Sequence, residues 1–157
     1  MSKMLRENDF DWRDLPEQTR IGVSACLIGV RCKYDGTSNY EEEPVKKLAE
    51  RFVLIPVCPE QLGGLTTPRP PAELSEGRVM TRDGQDVTVS FERGARETLR
   101  IFKQLDLKYA ILKEGSPSCG SGLIYDGTFS GIKIPGQGLT AKLLRENGIR
   151  VVSEKGV

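Results

Sequence analysis

Four short apolar runs alternate with stretches of helical periodicity, and that alternation limits what this chain can fold into. Ile21, Val23 and Ala25 open the first run, and Phe52 to Val57 form the second. Tyr109 to Leu112 and Ile149 to Val152 complete the set. Asn39 stands as a cap before Glu41–Glu43, Pro44 is tolerated in a first helical turn, and Val45, Leu48 and Ala49 supply an apolar stripe. From about Val89 to Leu105, Phe91, Ala95, Thr98, Phe102 and Leu105 recur at three- and four-residue steps, the spacing of one helix face. Leu139, Leu143 and Leu144 mark a last helix, closed by Asn147-Gly148. Strands that alternate with helices pair in parallel through crossovers. The expected fold is α/β: a three-layer, mainly parallel, Rossmann-like sheet of about four strands with helices on both faces. The second run is continuously apolar, as strands buried on both faces tend to be.

The 157 residues suit one domain with a real core. Residues 1–19 read as a polar leader with a short helix around Trp12 docked on the body, and residues 20–157 as a single α/β domain. The least regular part lies between Pro59 and Asp86, where Pro68, Pro70 and Pro71 exclude a helix. Val79-Met80 and Val87 flank a turn at Asp83-Gly84 and read as a small hairpin. A connection this long within a domain is usually functional or a lid. A second long, glycine-containing loop runs from Leu112 through Gly138.

Charge narrows the partners. Lys and Arg number 23 against 22 Asp and Glu, a net charge of +1 without a long run of one sign. That balance gives no footprint for duplex nucleic acid or an anionic membrane. No apolar stretch approaches the ~20 residues of a membrane span. The N-terminus carries acidic residues and lacks an apolar centre, so it does not read as a secretory signal. The expected home is a reducing cytoplasm, where cysteine clusters bind metal or do catalysis more often than they form disulfides. The oligomeric state is not legible.

The chain has four cysteines and no histidine. Cys26 and Cys58 fall immediately after the first and second strands, and Cys119 follows the third by seven residues. Parallel strands end on one side of a sheet, where ligands bind, so topology brings these three thiols together. Plain packing suits them poorly, because all four cysteines, Cys32 included, lie in turn-rich loops. A zinc knuckle or a thioredoxin-like pair wants CxxC spacing, and five residues separate Cys26 from Cys32. An iron–sulfur cluster accepts thiolates from dispersed positions. Zinc, redox and cluster readings all remain open on spacing alone. A serine or cysteine nucleophile lacks its usual histidine base. The run GIKIPGQGLTA places Gly-x-Gly before a helix, which suits either an anion at the helix N-terminus or a plain helix entry.

The segments SACLIGVRCKYDG, PVCPEQLGGL, ILKEGSPSCGSGLIYDGTF and GLTAKLLRENGI resemble the bacterial and archaeal family that includes the thiouracil desulfidases. The resemblance covers about residues 20 to 154. It implies a 4Fe–4S cluster held by Cys26, Cys58 and Cys119, with Cys32 outside the ligand set. It further implies redox-neutral replacement of a thiocarbonyl sulfur by oxygen in a small thiolated pyrimidine. In such a scheme Glu60 is the first choice for the base that activates water, with Glu114 behind it, and Ser116 holds substrate or relays a proton. Tyr34-Asp35-Gly36 forms a turn or lines the pocket. The alternative from another class is a non-catalytic binding module stabilised by zinc or by a cluster.

Overall fold

The structure is a computed structural model and describes residues 9–157; residues 1–8 of the expected leader lie outside the described residues. In chain order the elements are β1 (Arg20–Ser24), α1 (Glu42–Arg51), β2 (Val53–Val57), α2 (Pro59–Leu62), β3 (Ala72–Ser75) and β4 (Arg78–Thr81). They continue with α3 (Thr88–Gln104), β5 (Tyr109–Leu112), β6 (Leu123–Tyr125), β7 (Lys133–Pro135), α4 (Leu139–Glu146) and β8 (Arg150–Ser153). The main sheet has the order β2-β1-β5-β8, with every pair parallel. Ile21 lies opposite Leu54, Gly22 opposite Ala110, and Tyr109 opposite Arg150.

Side chains leave a strand alternately to its two faces, and β5 shows the consequence. Ala110 and Leu112 pack with Phe102, Ala141 and Leu144 of α3 and α4. Ile111 points the other way, into a core with Ile21, Val23, Leu48 of α1 and Phe52. Helices therefore cover both faces, as the sequence predicts. Phe10 and Leu15 are buried in the α1-side core, and the Trp12 indole donates to the Gly156 carbonyl at 3.2 Å. The described part of the leader is thus packed down, through a short 3-10 turn at Trp12–Asp14.

Three local expectations change. β2 is an edge strand, not one buried on both faces; Val53 and Pro56 are exposed. Pro56 has no N–H to donate to a further strand, so it suits an edge, and the apolar run alone does not encode strand order. The hairpin partner of β4 is β3, not the segment at Val87. The turn at Asp83-Gly84 exists, but it closes with one isolated bridge between Met80 and Asp86. Asn39 does not cap α1, whose N-cap is Glu41 without a side-chain bond. The loop from Leu112 to Gly138 also holds a hairpin, β6–β7, whose two three-residue strands are too short for a periodicity signal.

Helix α2 is a single turn pressed onto α3 at two glycines. A Cβ on Gly94 would stand 1.9 Å from the Pro59 carbonyl oxygen, and one on Gly63 would stand 2.0 Å from the Ser90 oxygen. Only bare backbone permits this approach, and it fixes the turn that follows Cys58. Alanine normally stabilises a helix interior over glycine, yet Gly94→Ala should destabilise the fold by about 1–3 kcal/mol through overpacking against rigid backbone. Urea unfolding measures this, and a gain in stability would show that the two helices can separate.

Candidate functional site

A cavity of about 420 Å³ opens at the carboxyl ends of β1, β2 and β5. Cys26, Cys32, Cys58 and Cys119 all line it, and all four are free thiols. The sequence brings the first, third and fourth together by topology. Cys32 joins them through a fold of the loop that no local pattern announces.

Each thiol is held by its own local device. Cys26 sits in a 3-10 turn, Ala25–Ile28, that ends at Gly29 with φ +103°. Asn39 donates its backbone N–H to the Cys26 carbonyl at 2.9 Å, and its side chain bonds the Cys26 sulfur. That is where the expected helix cap goes. Cys58 precedes a proline, which drives it to extended backbone, ends β2 and lets Pro59 open α2. Cys119 is buried in the loop after β5, where the Ser116 hydroxyl accepts from the backbone N–H groups of Ser118 (3.1 Å) and Cys119 (3.0 Å).

The same loop is clamped from two sides. The α4 residues Leu139 and Thr140 donate their N–H groups to the carbonyls of Pro117 (3.0 Å) and Ser118 (2.9 Å). A Cβ on Gly138 would lie 2.4 Å from the Ser118 carbonyl carbon, so the Gly-x-Gly run is a close helix entry. Glu114 closes the other side, its Oε1 accepting from the N–H groups of Ser121 (2.8 Å), Gly122 (3.0 Å) and Leu123 (3.1 Å). Burial acts to raise the Glu114 pKa, but these backbone donors outweigh it and hold the carboxyl below its ordinary value. Glu114 therefore fastens this loop.

Glu60 stands differently. Its Oε2 accepts from the Ser118 hydroxyl at 2.9 Å, and the Ser118 oxygen lies 2.9 Å from that of Ser116. Its Oε1 pairs with Arg69 at 3.1 Å, with the two side chains 18 % and 7 % exposed. Arg69 further donates to the Cys32 carbonyl at 2.8 Å and to the Thr67 hydroxyl at 2.9 Å. One continuous network runs Ser116–Ser118–Glu60–Arg69, with Ser116, Glu60 and Arg69 on the cavity wall and Ser118 buried behind it. Sequence reasoning identifies its first and third members. Ser118 lies inside the quoted motif, next to Cys119, and Arg69 sits between two prolines with no signal of its reach. Tyr34 lines the cavity, while Asp35 and Gly36 make the turn, Asp35 accepting from the Thr37 N–H at 3.0 Å.

The thiols differ in acidity. The Cys32 thiol donates to the Cys58 sulfur; this lowers Cys58 to about 7 and pushes Cys32 well up. Burial raises Cys26, and the Asn39 bond partly offsets it. Burial pushes Cys119 up to about 12 against hydrogen bonds from Ser24 and Ser118. Among the described residues no three His, Cys, Asp or Glu side chains are gathered to hold one metal ion. Zinc would draw thiolates to about 2.3 Å from a single centre. A cubane binds each thiolate at a separate iron, and thiols spaced round a cavity fit that demand.

Because the thiolate is the nucleophile, Cys58 of the metal-free protein should be alkylated first. Its rate should rise through pH of about 7, below the ordinary cysteine range, while buried Cys119 stays silent. Cys32→Ala removes the donor and should move that profile upward. Iodoacetamide labelling with peptide mass analysis checks both, and an unmoved profile would break the Cys32–Cys58 coupling.

Comparison with known proteins agrees with this geometry. Residues 21–156 match the 2-thiouracil desulfurase family. The uncharacterized protein YbbK of Bacillus subtilis (strain 168) is 46% identical over 144 residues, which is 85% of this chain and 95% of that protein. The solved structure of the [4Fe-4S]-dependent thiouracil desulfidase TudS superposes with a TM-score of 0.83 at 45% identity, over 89% of this chain and 93% of that one. No helix among the described residues is long and apolar enough to cross a membrane. With a matching sheet, a matching sequence and thiols gathered at the strand ends, the chain belongs to the 2-thiouracil desulfurase family.

Proposed function

We propose that this protein is a 4Fe–4S-dependent desulfidase acting on a small thiolated pyrimidine in the cytoplasm, with residues 20–157 as its single catalytic domain. The observation that supports this reading is one cavity lined both by thiols from three separate loops and by a carboxylate–serine network. Cys26, Cys58 and Cys119 hold the cluster. Cys32 stays outside the ligand set and donates to the Cys58 sulfur. When bound, a cluster with three protein ligands supplies an iron open to the thiocarbonyl sulfur as a Lewis acid.

The remaining chemistry belongs to the chain. Water and a C=S group give C=O and hydrogen sulfide, so atoms balance and no electrons are transferred. Glu60 accepts the proton of the attacking water, and Arg69 keeps the carboxylate oriented. Once protonated, Glu60 becomes the donor to the Ser118 oxygen, and the Ser118 hydroxyl turns to donate to Ser116, so the proton leaves along the same path toward the departing sulfide.

Replacing Cys26, Cys58 or Cys119 by serine should each abolish iron and acid-labile sulfide retention, whereas Cys32→Ser should keep them. Equal loss at all four would make Cys32 a ligand and leave no iron open to substrate. Glu60→Gln should retain wild-type iron and absorbance yet lose about 100- to 10,000-fold in sulfide release from 2-thiouracil, the usual cost of a missing general base. Ser118→Ala tests the relay more cleanly than Ser116→Ala, because Ser116 also holds the Cys119 loop. Turnover that strictly requires an external reductant would overturn the hydrolytic reading. Stoichiometric zinc in place of iron would favour a binding module.

A further inference from the structure

Three aromatic rings border the cavity, Tyr34, Tyr125 and Phe129. Each faces a cation: Lys33 lies 5.7 Å from the Tyr34 centroid, Lys133 5.4 Å from Tyr125, and Arg82 5.5 Å from Phe129. Phe129 alone among the rings has left-handed backbone, with φ +57°. A bulky side chain is strained there, and glycine would make the same turn freely. The position lies in the turn joining β6 to β7, between Gly127 and Gly131, which have φ of +94° and +81°.

The strained turn is clamped from outside. Glu73 of β3 accepts from the backbone N–H groups of Gly127 at 3.0 Å and Phe129 at 3.1 Å. Arg82, just past β4, sits over the phenyl ring. Two side chains of one hairpin therefore hold the tip of another, and the ring they fix is a cavity wall. Strain of this kind persists where surrounding structure over-determines it, and it gathers at binding sites.

We propose that Phe129 is the stacking platform for the substrate and restricts it to planar, aromatic thiolated heterocycles. This rests on the desulfidase reading above. Phe129 and Arg82 both line the cavity, so a flat base that enters it meets a ring that Arg82 and Glu73 already hold in place. Stacking reads planarity rather than the base edge, so a saturated thiocarbonyl of the same size gains nothing from the ring. Tyr34 and Tyr125 lack the strain and the clamp, and they serve as side walls.

The test uses the full chain with its cluster reconstituted, as wild type and as Phe129→Gly, Phe129→Ala and Phe129→Trp. Sulfide release is measured with 2-thiouracil and with 5,6-dihydro-2-thiouracil, alongside iron content and thermal unfolding. For 2-thiouracil, KM should rise about 5- to 100-fold in the glycine and alanine variants and stay near wild type in the tryptophan variant. For the dihydro compound, KM should be high in wild type and nearly unmoved by Phe129→Gly. Iron content should stay constant. Phe129→Gly should melt about 2–4 °C above Phe129→Ala, since both lack the ring and only alanine keeps a Cβ in left-handed backbone.

An equal KM rise in two variants of unequal stability marks a contact made by the ring itself. If KM instead follows melting temperature, Phe129 is a strut of the hairpin and the platform is refuted. Unchanged KM for 2-thiouracil in Phe129→Gly refutes it too. Both results leave the desulfidase reading standing. A cluster-loaded wild type that releases no sulfide removes that reading and the platform with it.

Discussion

Parallel pairing of β2, β1 and β5 is the constraint on which the site depends. Because the ladders align Gly22 with both Ile55 and Ala110, the three strands run out at one edge. Each crossover returns the chain to the opposite edge before the next strand begins, so loops that follow strands share one end of the molecule. Cys26, Cys58 and Cys119 stand in three such loops. Antiparallel pairing of any of these strands would send its thiol to the far side of the sheet.

Topology delivers the loops, and close backbone approach fixes them. Gly63 and Gly94 let the turn after Cys58 press on α3, and Gly138 lets α4 meet the Cys119 loop. Both contacts use the absence of a Cβ, so the positions of two thiols are set by rigid helices rather than by loop preference. The N–H groups of α4 that serve Pro117 and Ser118 complete the hold. A site built this way is preorganised, as a group of metal ligands drawn from distant segments must be if ordering them on loading is not to cost affinity.

Arg69 brings the proline-rich connection into the site. A buried carboxylate is costly unless paired, and Arg69 both pairs Glu60 and anchors to the Cys32 carbonyl. It thereby ties the first cysteine loop to the turn after the second. The long irregular segment, anticipated as functional or lid-like, contributes this strut and, through Glu73 and Arg82, the clamp on Phe129. One cation and one hairpin account for most of what that segment does.

The sequence by itself determined the α/β layering, the four strands and the shared edge of three thiols. These follow from local period and from the handed, parallel connections that such periods enforce. Quoted motifs also carried the family. Tertiary structure alone decided that β2 is an edge, that Cys32 meets Cys58, and that Ser118 links Ser116 to Glu60. It also decided that Glu114 fastens the Cys119 loop. The physical reason is range and direction. Arg69 reaches Cys32 across 37 residues and Ser118 reaches Glu60 across 58. Such contacts depend on where packing points each side chain, and no repeat in the chain records that.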